Sequence, residues 1–141
     1  MSYPFQVTFD CHDIETMMRF WAVALSYSLQ EPPEGFSSWA EFATNQGTPE
    51  ALWRAAVIDP AGKGPRMFFQ PVPEGKTAKN RVHLDINVSE GADSNADGRR
   101  LALAHADRCV NAGATLATVF DCDDGWHIAM LDPEGNEFCI Q

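Results

Sequence analysis

Two stretches of the chain alternate between apolar and polar residues, and both alternate in the same phase. Over residues 5–10, apolar Phe5, Val7 and Phe9 alternate with polar Gln6, Thr8 and Asp10. Over residues 82–87, apolar Val82, Leu84 and Ile86 alternate with polar His83, Asp85 and Asn87. A period of two is typical of a strand with one buried face. Each stretch is therefore predicted to form a half-buried strand that presents a polar face.

A helix is predicted after each of these strands. Asp13 can cap a helix whose apolar residues follow the helical period, namely Ile14, Met17, Met18, Trp21 and Leu25. In the second half, a helix is predicted over residues 99–112, ending before Gly113, which suits a left-handed cap. Residues 89–98 are small and polar, so they are predicted to form a mobile loop.

A four-residue motif occurs once in each half. Asp59-Pro60-Ala61-Gly62 recurs as Asp132-Pro133-Glu134-Gly135, and each copy stands between two apolar runs. Asp followed by Pro, with Gly two residues further on, suits a type I turn between two strands. Further strands are predicted at residues 27–30, 114–120 and 126–131. Each half therefore has the predicted order β-α-β-β-β.

The first half also contains a helical insertion. Ser38-Trp39-Ala40-Glu41 predicts a capping box, Gly47 can end that helix, and Thr48-Pro49-Glu50 predicts a second helix start. The predicted fold is α+β, a single domain of two tandem β-α-β-β-β modules, about residues 4–72 and 80–141. Their apolar faces pack under the helices, and their polar faces are expected to curve as a mixed sheet around a cleft.

Charge and composition restrict the partners of such a cleft. The 141 residues include 20 acidic and 10 basic ones, giving a formal charge of -10. This charge argues against nucleic acid and favours a cationic or amphipathic ligand. Half of the basic residues lie between 63 and 81, where they would either form an anion site or pair with nearby acids.

Neither a membrane partner nor export is expected. No apolar stretch approaches the ~20 residues of a membrane span. The first residues show no secretory signal, so the expected location is cytoplasmic. The four cysteines form no C-x-x-C pair and show no zinc-type spacing, so reduced thiols are expected.

The repeat and the segment 132–139, Asp-Pro-Glu-Gly-Asn-Glu-Phe-Cys, resemble the vicinal-oxygen-chelate superfamily, specifically its glyoxalase-like domains (glyoxalase/bleomycin resistance/dioxygenase-like). Segments 69–76 and 79–85 resemble a signature of one actinobacterial-type branch. The resemblance covers the whole chain and implies a homodimer that binds a small-molecule ligand. It does not indicate the substrate, because the superfamily includes lyases, isomerases, extradiol dioxygenases, epimerases and antibiotic-sequestering proteins.

Metal-dependent members of this family take four ligands from the first and last strands of the two halves, typically His or Gln, Glu, His and Glu. The matching residues here are Gln6, Gln70, His83 and Cys139, which are expected to converge in the cleft. Both carboxylates are missing, and neutral Gln70 cannot move a proton as a ligand Glu does. The resemblance therefore implies no intact metal site and no cofactor, and a divalent metal held by these four residues is the alternative. It also disfavours an extradiol dioxygenase, whose facial triad needs a second His.

The candidate ligand-binding residues are those of the polar strand faces together with one aromatic residue: Gln6, Thr8, Gln70, His83, Asp85, Cys139 and Trp126. His83 and Glu137 are the catalytic candidates. A solvated residue at the start of its strand is the alternative interpretation of Glu137. Trp39 and Trp53 could stack a flat ligand, although packing of the inserted helices also explains them. His105 and His127 are assigned to packing or to the surface.

Two functions from different classes follow. The first is a binding protein whose cleft captures a small organic molecule without an intact metal site, with His83 as an anchor. The alternative is an enzyme, a lyase or isomerase of glyoxalase-like type. The sequence leaves both open.

Overall fold

The protein has the predicted β-α-β-β-β order twice. A computed structural model describes residues 1–123 and 125–141. The first half contains β1 (Gln6–Cys11), α1 (Ile14–Leu25), β2 (Ser28–Leu29), β3 (Ala55–Ile58) and β4 (Arg66–Pro71). Its insertion holds α2 (Trp39–Asn45) and a short 3-10 helix (Glu50–Leu52). The second half contains β5 (Asp85–Ile86), α3 (Asn95–Asn111), β6 (Thr115–Cys122), β7 (Gly125–Leu131) and β8 (Glu137–Ile140). The predicted α+β class is confirmed.

Each half forms one four-stranded mixed sheet. The strand order is β1-β4-β3-β2 in the first sheet and β5-β8-β7-β6 in the second. The first and last strands of each half pair in parallel, and the remaining neighbours are antiparallel. The chain divides into two compact units: unit 1 comprises Met1–Ala22 and Ser26–Gly75, and unit 2 comprises Val23–Leu25 and Lys76–Gln141.

Alternation along the strands places one face of each sheet against a helix. In unit 1, Met67 and Phe69 of β4 are buried, as are Met17, Phe20 and Trp21 of α1. In unit 2, the buried residues of β7, β8 and α3 are Ile128, Met130, Phe138, Ile140, Ala102, Ala106 and Cys109. The strand residues between these buried positions form the opposite face of each sheet, which carries most of the predicted polar site.

The predicted helix caps are confirmed. The Asp13 carboxylate accepts a hydrogen bond from the backbone N–H of Thr16 at 3.0 Å. At α2, Ser38 Oγ accepts from the backbone N–H of Glu41 at 3.0 Å, and the Glu41 carboxylate accepts from the N–H of Ser37 at 2.7 Å. These caps satisfy N–H groups that the first turn leaves unpaired, so local sequence fixes where both helices begin.

Three local predictions are wrong. Val82 and Phe5 are exposed (81% and 71%), and β5 is only two residues long. For Val82 and β5 the reason is that pairing with β8 starts only where Cys139 N–H donates to Leu84 O at 2.9 Å. Phe5 lies just before β1, which begins at Gln6. The predicted loop 89–98 is also wrong in its second part, because Ser94 caps α3 and starts it at Asn95.

Gly98 lies in the first turn of α3 and is buried. A Cβ at that position would stand 3.0 Å from Ser89 Cβ, so glycine permits the close approach of α3 to the preceding loop.

None of the helices in the described part of the chain is long and apolar enough to cross a membrane.

Candidate functional site

In unit 1, the polar face is formed by alternate residues of two adjacent parallel strands. β1 contributes Gln6, Thr8 and Asp10, and β4 contributes Arg66, Phe68 and Gln70, paired in register one to one. Strand alternation therefore brings Gln6, Thr8 and Gln70 onto one face, as the sequence predicts.

Arg66 organises one end of this face. Its Nη1 donates to Gln6 Oε1 at 3.0 Å, and its Nε donates to Gln30 Oε1 at 2.8 Å. The guanidinium carbon also lies 4.8 Å from the Phe68 ring centroid, within the range of a cation–π contact. The amide oxygen of Gln6, the atom that would bind a metal, therefore already accepts from a cation.

Gln70 lies at the other end of the face. Its Nε2 donates to Asp10 Oδ1 at 2.7 Å. The amide is neutral and directs its donor at a carboxylate, so it offers no anionic oxygen of its own. Where the family pattern expects an acidic ligand, this side chain instead holds Asp10 in place.

In unit 2, three predicted site residues form a cluster: His83 just before β5, Asp85 on β5 and Cys139 on β8. Ligand atoms of His83, Asp85 and Cys139 all lie within 4.8 Å of one another. Asp85 and Cys139 face each other in register, and His83 Nε2 lies 3.2 Å from Asp85 Oδ1. The structure thus brings these three predicted residues together. Gln6 and Gln70 lie on the other sheet, and the convergence of the two groups stays a prediction.

Cys139 is held as a thiol in this cluster. Burial raises its pKa, and the nearby charge and hydrogen bond of Asp85 raise the pKa further. A protonated thiol is a weak ligand, because metals bind the thiolate. A divalent ion that displaced this proton would gain one imidazole, one carboxylate and one thiolate, a donor set that suits zinc better than a hard ion.

The Glu137 carboxylate makes its contacts within unit 2. Its Oε2 accepts from the backbone N–H of Asn80 at 3.0 Å and lies 3.0 Å from Lys76 Nζ. The Asn80 hydrogen bond, more than Lys76, lowers the pKa of this carboxyl from its ordinary 4.5 to about 2. So acidic a group is a poor proton acceptor near neutral pH, which weakens its candidacy as a catalytic base.

Trp126 lies apart from the His83 cluster. On β7 it shares the side-chain phase of buried Ile128 and Met130, whereas Ala129 is the residue in register with Cys139. The Arg99 guanidinium of α3 lies 5.6 Å from the Trp126 ring centroid. Trp126 is therefore on the helix-packed face and does not join His83, Asp85 and Cys139.

The strand and charge patterns did not predict the contacts that Gln30 and Arg66 make on this face. Arg66 belongs to the group of basic residues between 63 and 81, of which Lys76 does pair with an acid. The missing signal was its strand phase, since Arg66 precedes Phe68 and Gln70 by even steps and must share their face. Gln30 belongs to no sequence pattern that could reveal its contact with Arg66.

Comparison with known proteins agrees with this architecture. A family model described as "Glyoxalase-like domain" matches residues 6–141. Among solved structures, the fosfomycin resistance protein FosX from Mesorhizobium loti is similar, with a TM-score of 0.64, 13% identity and coverage of 100% of this chain and 91% of that one. A glyoxylase/bleomycin resistance protein/dioxygenase domain from Frankia sp. EAN1pec has a TM-score of 0.62 and 16% identity, covering 99% and 96%.

A third similar structure carries ligands. It is a mutant FosX from Listeria monocytogenes complexed with Mn(II) and dihydroxypropylphosphonic acid, with a TM-score of 0.62, 12% identity and coverage of 100% of this chain and 90% of that one. At such identities the likeness concerns the fold alone. No curated protein gave a match.

Proposed function

The chain belongs to the glyoxalase-like domain family, and from this membership we propose that it binds a small organic molecule on the polar faces of its sheets, without a resident hard divalent metal. One observation carries the proposal: Arg66 Nη1 donates to Gln6 Oε1 at 3.0 Å. A divalent ion on that oxygen would lie beside a permanent positive charge, and the two cations would repel each other.

The second position of unit 1 supports the same conclusion. Gln70 is neutral and donates to Asp10, so it cannot supply the negative charge with which a hard ion is held. Polar side chains that already hold one another in fixed positions suit recognition of an organic ligand, because little ordering remains to be done on binding.

Metal analysis tests this proposal. The protein is purified without chelator and then incubated with manganese, nickel or zinc, and metal content is measured after desalting. We expect clearly less than one equivalent of manganese or nickel. We also expect that thermal shifts produced by a library of small organic molecules survive treatment with a chelator. One equivalent of manganese that depends on Gln6, absent from Gln6→Ala but present in Gln46→Ala, would overturn the proposal.

A second candidate function is favoured by the His83, Asp85 and Cys139 cluster. Its donors suit zinc, which could polarise a carbonyl in a lyase or isomerase reaction of glyoxalase type. One equivalent of zinc in the wild type, absent from His83→Ala and retained in His12→Ala, would favour this enzyme over the metal-free binder. His12 is an exposed residue of unit 1 and makes a matched control.

A further inference from the structure

The helical insertion of unit 1 and the sheet enclose a pocket of about 360 Å³, whose aromatic and basic lining residues are Trp39, Phe42, Trp53, Arg54, Arg66 and Phe68. We call this the arginine pocket. Its volume is in the range of small-molecule sites, which is ~300 to 1,000 Å³. Arg66 and Phe68 also belong to the polar face of the sheet, so the pocket continues that face under the insertion.

Arg66 lines the pocket and has N–H groups that no protein acceptor in the described ranges uses. Of the five N–H groups of a guanidinium, one on Nε is used by Gln30 and one on Nη1 by Gln6, which leaves three. The two amides fix the plane of the guanidinium, and Phe68 lies against it with 4.8 Å between guanidinium carbon and ring centroid. A planar donor group held in this way is prepared for a planar anionic acceptor such as a carboxylate.

Arg54 adds a second positive charge on the same ring. Its guanidinium carbon lies 6.0 Å from the Phe68 centroid. Within residues 1–123 and 125–141, the ion pairs are made by Arg19, Lys76, His83, Arg99 and Arg100, and neither Arg54 nor Arg66 takes part in one. Two unneutralised guanidiniums in one pocket are unusual in a chain of charge -10.

The acidic surface does not cancel this local charge. Surface charges are screened over about 8 to 10 Å at physiological salt, whereas a ligand in the pocket would contact the guanidiniums directly. Direct contact with the two guanidiniums therefore favours an anion, the opposite of what net charge alone suggests.

The remaining walls are aromatic and are held in place. Trp39 Nε1 donates to the Gln30 carbonyl at 2.6 Å, and Trp53 Nε1 donates to the Thr48 carbonyl at 3.1 Å. The Trp39 and Phe42 rings meet edge to face at 5.9 Å. Because the indole N–H groups are already satisfied by the backbone, the ring faces remain as apolar contact surface for a flat ligand.

We infer that the arginine pocket binds an aromatic carboxylate, with the carboxylate on Arg66 and Arg54 and the ring between the aromatic walls. This inference rests on the proposed function, since it names the ligand class of that small-molecule site. It also assigns Trp39 and Trp53 a role in binding in addition to their packing.

Isothermal titration calorimetry with three probes of similar shape tests the inference: naphthoate, its neutral analogue naphthamide, and the cationic naphthylmethylammonium. Naphthoate should bind at least about tenfold more tightly than either analogue, because only it forms charge-assisted hydrogen bonds. Its affinity should also fall as salt is raised, whereas that of naphthamide should not.

Three variants locate the binding. Arg66→Met and Arg54→Met should each weaken naphthoate binding about tenfold, while Arg19→Met, which removes an exposed arginine of the same unit, should leave it unchanged. Circular dichroism and melting curves check that each variant is folded. Arg54 is exposed and makes no hydrogen bond in the described residues, so Arg54→Met keeps the inference testable even if Arg66→Met is unstable.

The inference is overturned if naphthoate fails to bind saturably at millimolar concentration, if naphthamide or the ammonium probe binds equally well, or if a folded arginine variant keeps wild-type affinity. These results would leave a metal-free binder of another ligand class intact. One equivalent of bound manganese, in contrast, would contradict the proposed function without altering the preference for a carboxylate.

Discussion

The imidazole Nε2 of His83 lies 3.2 Å from the carboxylate Oδ1 of Asp85. Asp85 also faces Cys139 across the parallel pair of β5 and β8. One carboxylate therefore lies beside two potentially reactive side chains, and its charge and hydrogen bond disfavour the thiolate form of Cys139. The chemistry available to this cluster depends on the charge of Asp85.

Replacing Asp85 with Asn should make Cys139 more reactive. Burial is the largest cause of the raised thiol pKa and would persist, but the contribution of the Asp85 charge would be lost. Alkylation of Cys139 by iodoacetamide at mildly alkaline pH should accelerate, by up to about tenfold for each unit by which the pKa falls. Peptide mass spectrometry distinguishes alkylation of Cys139 from alkylation of the exposed Cys122. Asp107→Asn, on α3, is the matched control, and an equal or slower rate in Asp85→Asn would contradict this account.

Glu137→Gln should destabilise the protein near neutral pH. The Glu137 pKa is lowered from 4.5 to about 2, so its ionised form contributes stability above pH 4.5, and this contribution disappears as the pH falls toward 2. The side chain is 31% exposed, and solvent screening reduces the expected loss to about 1 kcal/mol. Urea denaturation at pH 7 and at pH 3 measures it, with Glu90→Gln as the control. A difference that grows as the pH is lowered would disprove the assignment.

The repeat, the helix caps and the fold class could be read from the sequence because they depend on neighbours along the chain. The hydrogen bonds of Asp13, Ser38 and the two Asp-Pro-x-Gly turns join residues three to five positions apart, and all of them are present. The shortness of β5 could not be predicted, since it depends on which residues β8 offers as partners. The orientation of Arg66 could not be predicted either, because its guanidinium donates to Gln30, 36 residues away in sequence.

A carboxylate at position 6 should compete with the ligand of the arginine pocket. Gln6→Glu would place an acid where Gln6 Oε1 now accepts from Arg66 Nη1 at 3.0 Å, and an ion pair would neutralise the guanidinium. Calorimetry should show naphthoate binding weakened by about tenfold, with the melting temperature unchanged or higher. Gln141→Glu adds the same charge to an exposed residue of unit 2 and should bind naphthoate as the wild type does. Equal affinities in both variants would count against the assigned role of Arg66.

The two turn aspartates should differ in their effect on stability although they occupy equivalent positions. Asp132 is 3% exposed, and its Oδ1 accepts from the backbone N–H groups of Glu134 and Asn136, both at 2.9 Å. Asp132→Ala should cost about 2 to 4 kcal/mol, because two part-buried N–H donors lose their acceptor. Asp59→Ala should cost less, since water can reach the N–H groups of Ala61 and Lys63, which lie on an exposed turn. Paired urea titrations compare them, and a larger loss for Asp59→Ala would reverse the argument.

Because His105 is buried, the free energy of unfolding should be lower in mild acid than at pH 7. Within unit 2 its buried Nε2 donates to the Ala24 carbonyl at 2.8 Å. Burial is the main cause that lowers its pKa below the ordinary 6.5, and Arg108 acts in the same direction. As the pH falls below 6.5, the unfolded chain binds a proton at this position that the folded chain does not, so stability decreases, by at most about 1.4 kcal/mol per pH unit.

His105→Gln keeps an N–H donor but does not titrate. It should be somewhat less stable than the wild type at pH 7, because the amide fills the buried site less well, yet its stability should change less between pH 7 and pH 5. Urea denaturation at several pH values gives both slopes, and His12→Gln provides the control for an exposed histidine. If His105→Gln and the wild type lose stability in parallel over this range, groups other than His105 cause the acid sensitivity.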